Sequence, residues 1–438
     1  MNTAPEESKP QPSRVRRRIL RACLGFGVFV LVLITIGAIL IVPKSIDEAP
    51  FDASSLELVI PEVPEAENAA LAYMAIWEEG VPQLPFNNDR DVAFWDAAEA
   101  GGLVAALEAD PELREEYWEP MLRMLTRLKE AGDSPEFQFP VQRRVDDPAK
   151  HLVALKDTAE ALWFRSQWFS ERGEAAELLQ GLEDWARLSS HVSNGVLDAL
   201  ALNKSVAIAG AFSSNLGKQL SATSGDLREL LTLLGSIGFD RKQISTTLCA
   251  EFQIFRNTLA ELKDAMTEDR NLIERWLYLP HQTERIYGED LLAAIAEGEA
   301  TGRVTSTLEI PDLDGWLNKL RVGNVLGWTF ILFMSPNADS LYEKAGSANS
   351  VLRATELMVA LVIYEEQHGE LPAELEALVP EILPAIPRDP FDGKPIRYDQ
   401  ERRVVWAVGS NGTDEGGLEE PGTMRGADIV VAISKRGE

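Results

Sequence analysis

Glu365 and His368 are three residues apart, a spacing that puts a carboxylate and an imidazole on one helical face and supplies half of a di-iron site in helical bundles. The other half, a second such pair and two more glutamates, is missing, since His151, His191 and His281 have no Glu three residues before them. The pair therefore reads as surface chemistry at a helix end. The chain contains no Gly-x-Ser-x-Gly, Ser-x-x-Lys, His-Glu-x-x-His or Walker loop. Its 70 acids must include many pairs, yet no spacing singles out two for glycoside hydrolysis. The densest oxygen donors lie in 409–428, where Asp414, Glu415, Glu419, Glu420 and Asp428 alternate with turn residues.

Two kinds of element must position these groups. Leu341, Ala345, Ala348, Leu352, Thr355, Val359 and Val362 step by four and three, which predicts a helix over 338–368 with one face buried along its length. Gly369 ends it and Pro372 cannot continue it. A short helix near 373–379 follows, then Asp392-Gly393 predicts a tight turn between extended arms. Residues 404–408 and 429–433 read as strands on either side of the acidic loop. The expected unit, residues 338–438, is a small α+β domain, a long helix packed on a short antiparallel sheet.

Upstream, no proline occurs from 149 to 279, and apolar residues keep helical spacing there, as in Leu152, Leu155, Ala159, Leu162 and Phe169. Residues 65–335 thus read as an antiparallel helical array, with early helices at 65–79, 91–109 and 112–131 and breaks near Gly173, Gly181, Gly195, Gly225 and Gly238. Trp163, Phe164, Trp168 and Phe169 could line a groove, but at this spacing they read as core. The apolar run 325–334 is too short to cross a membrane and reads as a buried helix turn.

Charge divides the chain. Residues 1–44 carry seven Lys/Arg against two Glu, whereas 45–438 carry 35 basic and 68 acidic residues, a net of −33. So acidic a body repels nucleic acid, and no basic stripe interleaved with aromatics offsets this. From 19 to 42 the chain has 24 residues with Arg21 as the only charge, enough to span a bilayer core of about 30 Å. Arginines crowd the N-terminal flank, which places 1–18 as a cytoplasmic basic tail and the body, after a linker at 43–64, on the extracytoplasmic (periplasmic) side of the inner membrane. The apolar run is too long for a cleaved signal and lacks an Ala-x-Ala site. Cys23 and Cys249 cannot meet across such an arrangement, so no disulfide framework is expected. The fold class that results is mainly α: one N-terminal transmembrane helix, a helical array, then the α+β domain.

Tyr364, Gly369 and Pro372, then the run 389–398 (DPFDGKPIRY), then 409–417 and Asp428-Ile429, follow one another in the order seen in the globular domain of the major pseudopilin of type II secretion. The last hundred residues resemble that family, and the whole chain resembles bacterial membrane-anchored helical proteins with this ending. The pseudopilin likeness implies a calcium-binding loop, with Asp414 and Asp428 as the matching ligand positions. Carboxylates with loop carbonyls are what such a hard cation needs. Val30 stands where the family carries a glutamate in its membrane helix, which predicts a static tether in place of a fibre subunit. The function expected is that of a non-enzymatic envelope protein that binds other envelope proteins, in a secretion or pilus-like assembly. A hydrolase acting on cell wall or an exported polymer is the other reading.

Overall fold

The computed structural model describes residues 26, 28–32, 35, 42, 44, 46–60, 62–82, 89–132, 134, 136–141, 144, 149–195, 198–265, 272–305, 308–334, 338–418 and 427–435. The basic tail, most of the expected anchor, and Glu419 and Glu420 lie outside the described residues. In chain order the main elements are α1 Ala69–Glu78, α2 Asp89–Gly101, α3 Leu103–Ala109, α4 Glu119–Ala131, α5 Lys150–Arg172, α6 Ala175–Asn194, α7 Ala199–Gln219, α8 Arg228–Ser236 and α9 Arg241–Ala265. They continue with α10 Leu272–Leu277, α11 Pro280–Thr301, α12 Gly315–Val322, α13 Val325–Met334, α14 Ala338–His368, β1 Arg397–Asp399, β2 Val404–Ala407 and β3 Ile429–Ala432. The protein is thus mainly helical with one small antiparallel sheet of order β1-β2-β3. It forms two compact units.

The larger unit comprises Ala53–Thr258, Glu289–Thr307 and Pro336–Glu438. Its helices start and stop where the local chemistry dictates. Asn68 accepts the amide of Ala70 to cap α1, and Asp198 accepts that of Ala201 to cap α7. At the end of α5 Gly173 takes φ 66°, and the amide of Glu174 reaches back to the Phe169 carbonyl at 2.9 Å. Gly181, expected at a break, instead lies inside α6, where the absence of a side chain admits the guanidinium of Arg165. Of the four aromatics expected in the core, Phe164 and Trp168 are buried, with the Trp118 and Trp168 ring centroids 4.5 Å apart, whereas Phe169 is half-buried and Trp163 is exposed.

The long helix α14 has the boundaries the periodicity predicts but more than one buried face: every residue from 354 to 363 is buried. It packs on α7 and α8 and also on β2 and β3, so the C-terminal sheet and the helical array share one core. A helix covered on all sides needs apolar residues all round, and Leu357, Met358, Ala360 and Leu361 supply them between the stripe positions. Val405 and Ala407 of β2 are buried and alternate with half-exposed Val404 and Trp406. The turn at 389–394 closes through Asp389 N to Lys394 O, 2.8 Å, and Gly393 N to Asp389 O, 2.9 Å.

The smaller unit comprises Met1–Asp52, Leu259–Gly288 and Leu308–Ser335. Asn324, buried in the turn between α12 and α13, accepts the amide of Leu279, donates to Thr283 Oγ1 and gives its own amide to the Trp276 carbonyl. One asparagine thus ties that turn to the turn between α10 and α11. The segment after the expected anchor is fixed to the start of α11: Asp47 accepts the amides of His281 and Gln282 at 3.1 and 3.0 Å, and Glu48 pairs with Arg285. The run 325–334 is a helix, as expected, but only Gly327 and Ile331 are buried in it. It is therefore not a buried turn: Leu332 and Phe333 are exposed.

Among the described residues, length and composition give one candidate membrane span, in the region of α13 and α14, and 78% of its most apolar window is buried inside the protein, as befits a core helix. Within the expected anchor Phe26, 28–32 and Thr35 are helical, with Thr35 Oγ1 donating to the Leu31 carbonyl at 2.8 Å.

Candidate functional site

Glu365 and His368, the pair with metal-site spacing, are committed elsewhere. Both Glu365 oxygens accept from Arg403 at 2.8 Å, an ion pair that holds the carboxyl below its usual range. The His368 ring stacks on Tyr364 at 4.0 Å and its Nδ1 meets the Tyr364 carbonyl.

In the acidic loop, Asp414 and Asp428 have different partners. Asp414 accepts from the Trp406 indole at 3.0 Å, from Arg397 Nε at 3.1 Å and from the Gly416 amide, contacts that lower its pKa. Arg397 also reaches Asp389 at 2.6 Å and Asp392, so one guanidinium joins the 389–392 turn to the loop. Asp428 is fully buried; its Oδ2 accepts the Gly417 amide at 2.7 Å, and its side chain meets the carboxyl of Glu415. Glu415 accepts from Asn411 through Oε1 at 2.8 Å, and its Oε2 is buried. Burial first, and then the neighbouring Glu415 and Asp414 charges, raise the pKa of Asp428. Of the two expected calcium ligands, Asp414 is already engaged by Arg397 and Trp406, whereas Asp428 meets another carboxyl. Among the described residues no group of three or more His, Cys, Asp or Glu converges as a metal cage.

The larger unit contains a cleft of about 690 Å³. Its walls are the C-terminal ends of α6 and α8, the connection 237–240, the first turns of α9, and Asn349 and Arg353 of α14, with Arg388 and Pro390 at one side. Sequence explains the walls locally: Gly235, Gly238 and Asp240 end α8 and begin α9, with Asp240 Oδ1 accepting the Gln243 amide. Most polar groups in the walls are spent on holding them. Arg353 binds Glu356 at 2.5 Å and the carbonyls of Leu234 and Ile237, meeting the negative end of α8. Asn349 pairs both ways with the Phe239 backbone, at 2.9 and 2.7 Å, and Gln243 Nε2 binds the Gly195 carbonyl at 2.8 Å. Two cations are left over. The Lys242 side chain makes no hydrogen bond or ion pair to the described residues, although its carbonyl accepts from Thr246 Oγ1, and the Arg388 side chain gives one bond, to the Gly393 carbonyl. The nearest serines bond to each other and to backbone: Ser190 to Ser236 at 2.7 Å, Ser193 to the Ser190 carbonyl at 3.0 Å. His191 instead meets the Tyr73 hydroxyl through Nδ1 at 3.2 Å. Lys242 and Arg388 therefore bring positive charge to a cleft whose other polar groups are largely engaged.

Compared with known proteins, the chain matches no family model, no curated protein and no solved structure.

The cleft is the feature that sequence reasoning missed. The glycines and Asp240 mark a helix boundary, but nothing in the sequence joins Phe239 to Asn349, 110 residues later.

Proposed function

We propose that the protein is a single-pass envelope protein held by residues 19–42 in the cytoplasmic membrane, with its body on the extracytoplasmic side as a non-enzymatic binding component. Exposed Phe26, Val28, Phe29 and Leu31 on a helix support the anchor, since such a surface is at home in lipid. The observation that carries the binding role is the cleft whose wall groups are spent while Lys242 and Arg388 remain. In a chain of net charge −28 those cations favour an acidic ligand, and an acidic segment of another envelope protein is the occupant that suits it. The likeness of the last hundred residues to the major pseudopilin makes a secretion or pilus-like assembly the natural setting. Calcium, held by Asp428 and Glu415, would tie the loop to the start of β3. A hydrolase would need a nucleophile or an acid–base pair here, whereas Asp240, the carboxylate among the described lining residues, is the cap of α9.

The full-length protein in lipid nanodiscs is titrated with a labelled Asp/Glu-rich peptide. Saturable binding, weakened at least tenfold by Lys242→Glu with Arg388→Glu at unchanged melting temperature, is expected. Equal binding by that variant overturns the reading. Cleavage of cell-wall fragments that Asp240→Asn abolishes would establish the hydrolase instead.

A further inference from the structure

We infer that α13 lies in the extracytoplasmic headgroup layer of the membrane and gives the smaller unit a second lipid contact beside the anchor. The inference rests on the reading of residues 19–42 as the anchor. Position comes first. Gly323 packs on Lys44, so closely that a Cβ on it would stand 3.1 Å from Lys44 Cβ. Lys44 is two residues beyond Val42, the end of the apolar run, and two residues reach at most about 7 Å. The interfacial layer on each side of a bilayer is about 5–7 Å thick. The turn that launches α13 therefore sits where the anchor leaves the hydrocarbon. Asn324 and the Asp47 cap hold it there, because both ends of that contact are tied to the start of α11.

Composition points to the same layer. The ten residues of α13, VLGWTFILFM, include no charge, and Leu326, Leu332 and Phe333 are 43%, 53% and 81% exposed. Water disfavours such a face, and it carries the aromatic residues that favour the headgroup level. The twenty residues 315–334 hold Lys319 and Arg321 and no acid, in a chain with 70 acids to 42 bases. Anionic headgroups would attract this stretch while they repel most of the body. At about 15 Å, α13 is too short to span, so it lies on the surface.

The test uses the full chain in nanodiscs of brominated lipid, with one environment-sensitive dye on a cysteine at position 333, 29 or 418 (Phe333→Cys, Phe29→Cys or Leu418→Cys) in a Cys23→Ser, Cys249→Ser background. All three positions are exposed, which spares the fold. Expected is quenching at 333 strongest with bromines near the headgroup, quenching at 29 strongest with deep bromines, and none at 418. Quenching at 29 without quenching at 333 overturns the inference and leaves the anchor standing. No quenching at 29 overturns the anchor and the inference with it. Equal quenching at 333 and 418 overturns it as non-specific contact. Shielding at 333 that grows with protein copies per disc, without bromine quenching, assigns the face to a second copy and also overturns it.

Discussion

The phenol end of Tyr342 lies against the α-carbon of Gly298, where an added Cβ would stand 2.2 Å from Tyr342 Cζ. Tyr342 is buried and its hydroxyl meets Ser245 at 3.1 Å, so the ring has no free direction in which to withdraw. Alanine in place of a helical glycine ordinarily gains about 1 kcal/mol. Overpacking costs about 1–3 kcal/mol, and here it should win. Gly298→Ala is expected to lower the thermal midpoint, and Gly298→Ala with Tyr342→Leu to recover part of the loss. A midpoint raised by the single change would show that the ring yields.

Glu365 and Arg403 tie the last turn of α14 to the turn before β2. Arg403→Met should cost about 1 kcal/mol, since both side chains are partly exposed and water screens the pair. Arg403 depresses the Glu365 pKa, so the stability the pair contributes is present above the ordinary glutamate range and is lost as pH falls through it. Urea unfolding of wild type and variant should therefore differ at pH 7 and converge as pH falls below the lowered Glu365 pKa. A constant gap would mean the arginine acts by packing alone.

These contacts show what a sequence discloses and what it withholds. The 338–368 helix, the Asp392-Gly393 turn and the two strands were legible because each depends on neighbours a few residues away. Gly181 misled because a glycine that breaks a helix and one that admits a buried arginine look alike in sequence. The exposure of α13 was hidden because apolarity says which residues avoid water but not whether protein or lipid covers them. The cleft was hidden for a different reason: it is built by side chains such as Asn349 that bond to distant backbone.

Glu251 lies on α9, where it accepts the Ala199 amide at 2.7 Å. Burial pushes its pKa up to about 7, an effect that the amide opposes and nearby Asp198 adds to. A carboxyl that prefers its proton when folded costs stability as pH rises from the ordinary value toward 7. The cost reaches up to ~3 kcal/mol, less what the remaining hydration offsets. Glu251→Gln should therefore melt higher than wild type at pH 8 and equally at pH 4. Equal melting at both values would mean that Glu251 stays ionised.

If calcium occupies the acidic loop, Asp428 and Glu415 would hold it in place of a shared proton. With a chelator present, wild type should lose stability as pH rises through the carboxylate range, because the raised pKa of Asp428 marks a charge the fold resists. Calcium should restore what is lost. Asp428→Asn removes the repulsion, so in chelator it should melt above wild type, and it should no longer respond to calcium. Asp414→Ala should keep the response, because Arg397 and Trp406 already occupy that carboxylate. The full chain is required, since α14 buries its surface against α7 as well as the sheet. Calorimetry with and without calcium decides it: an equal calcium shift in wild type and Asp428→Asn would place the ion elsewhere, and no shift in wild type would leave the two acids sharing a proton.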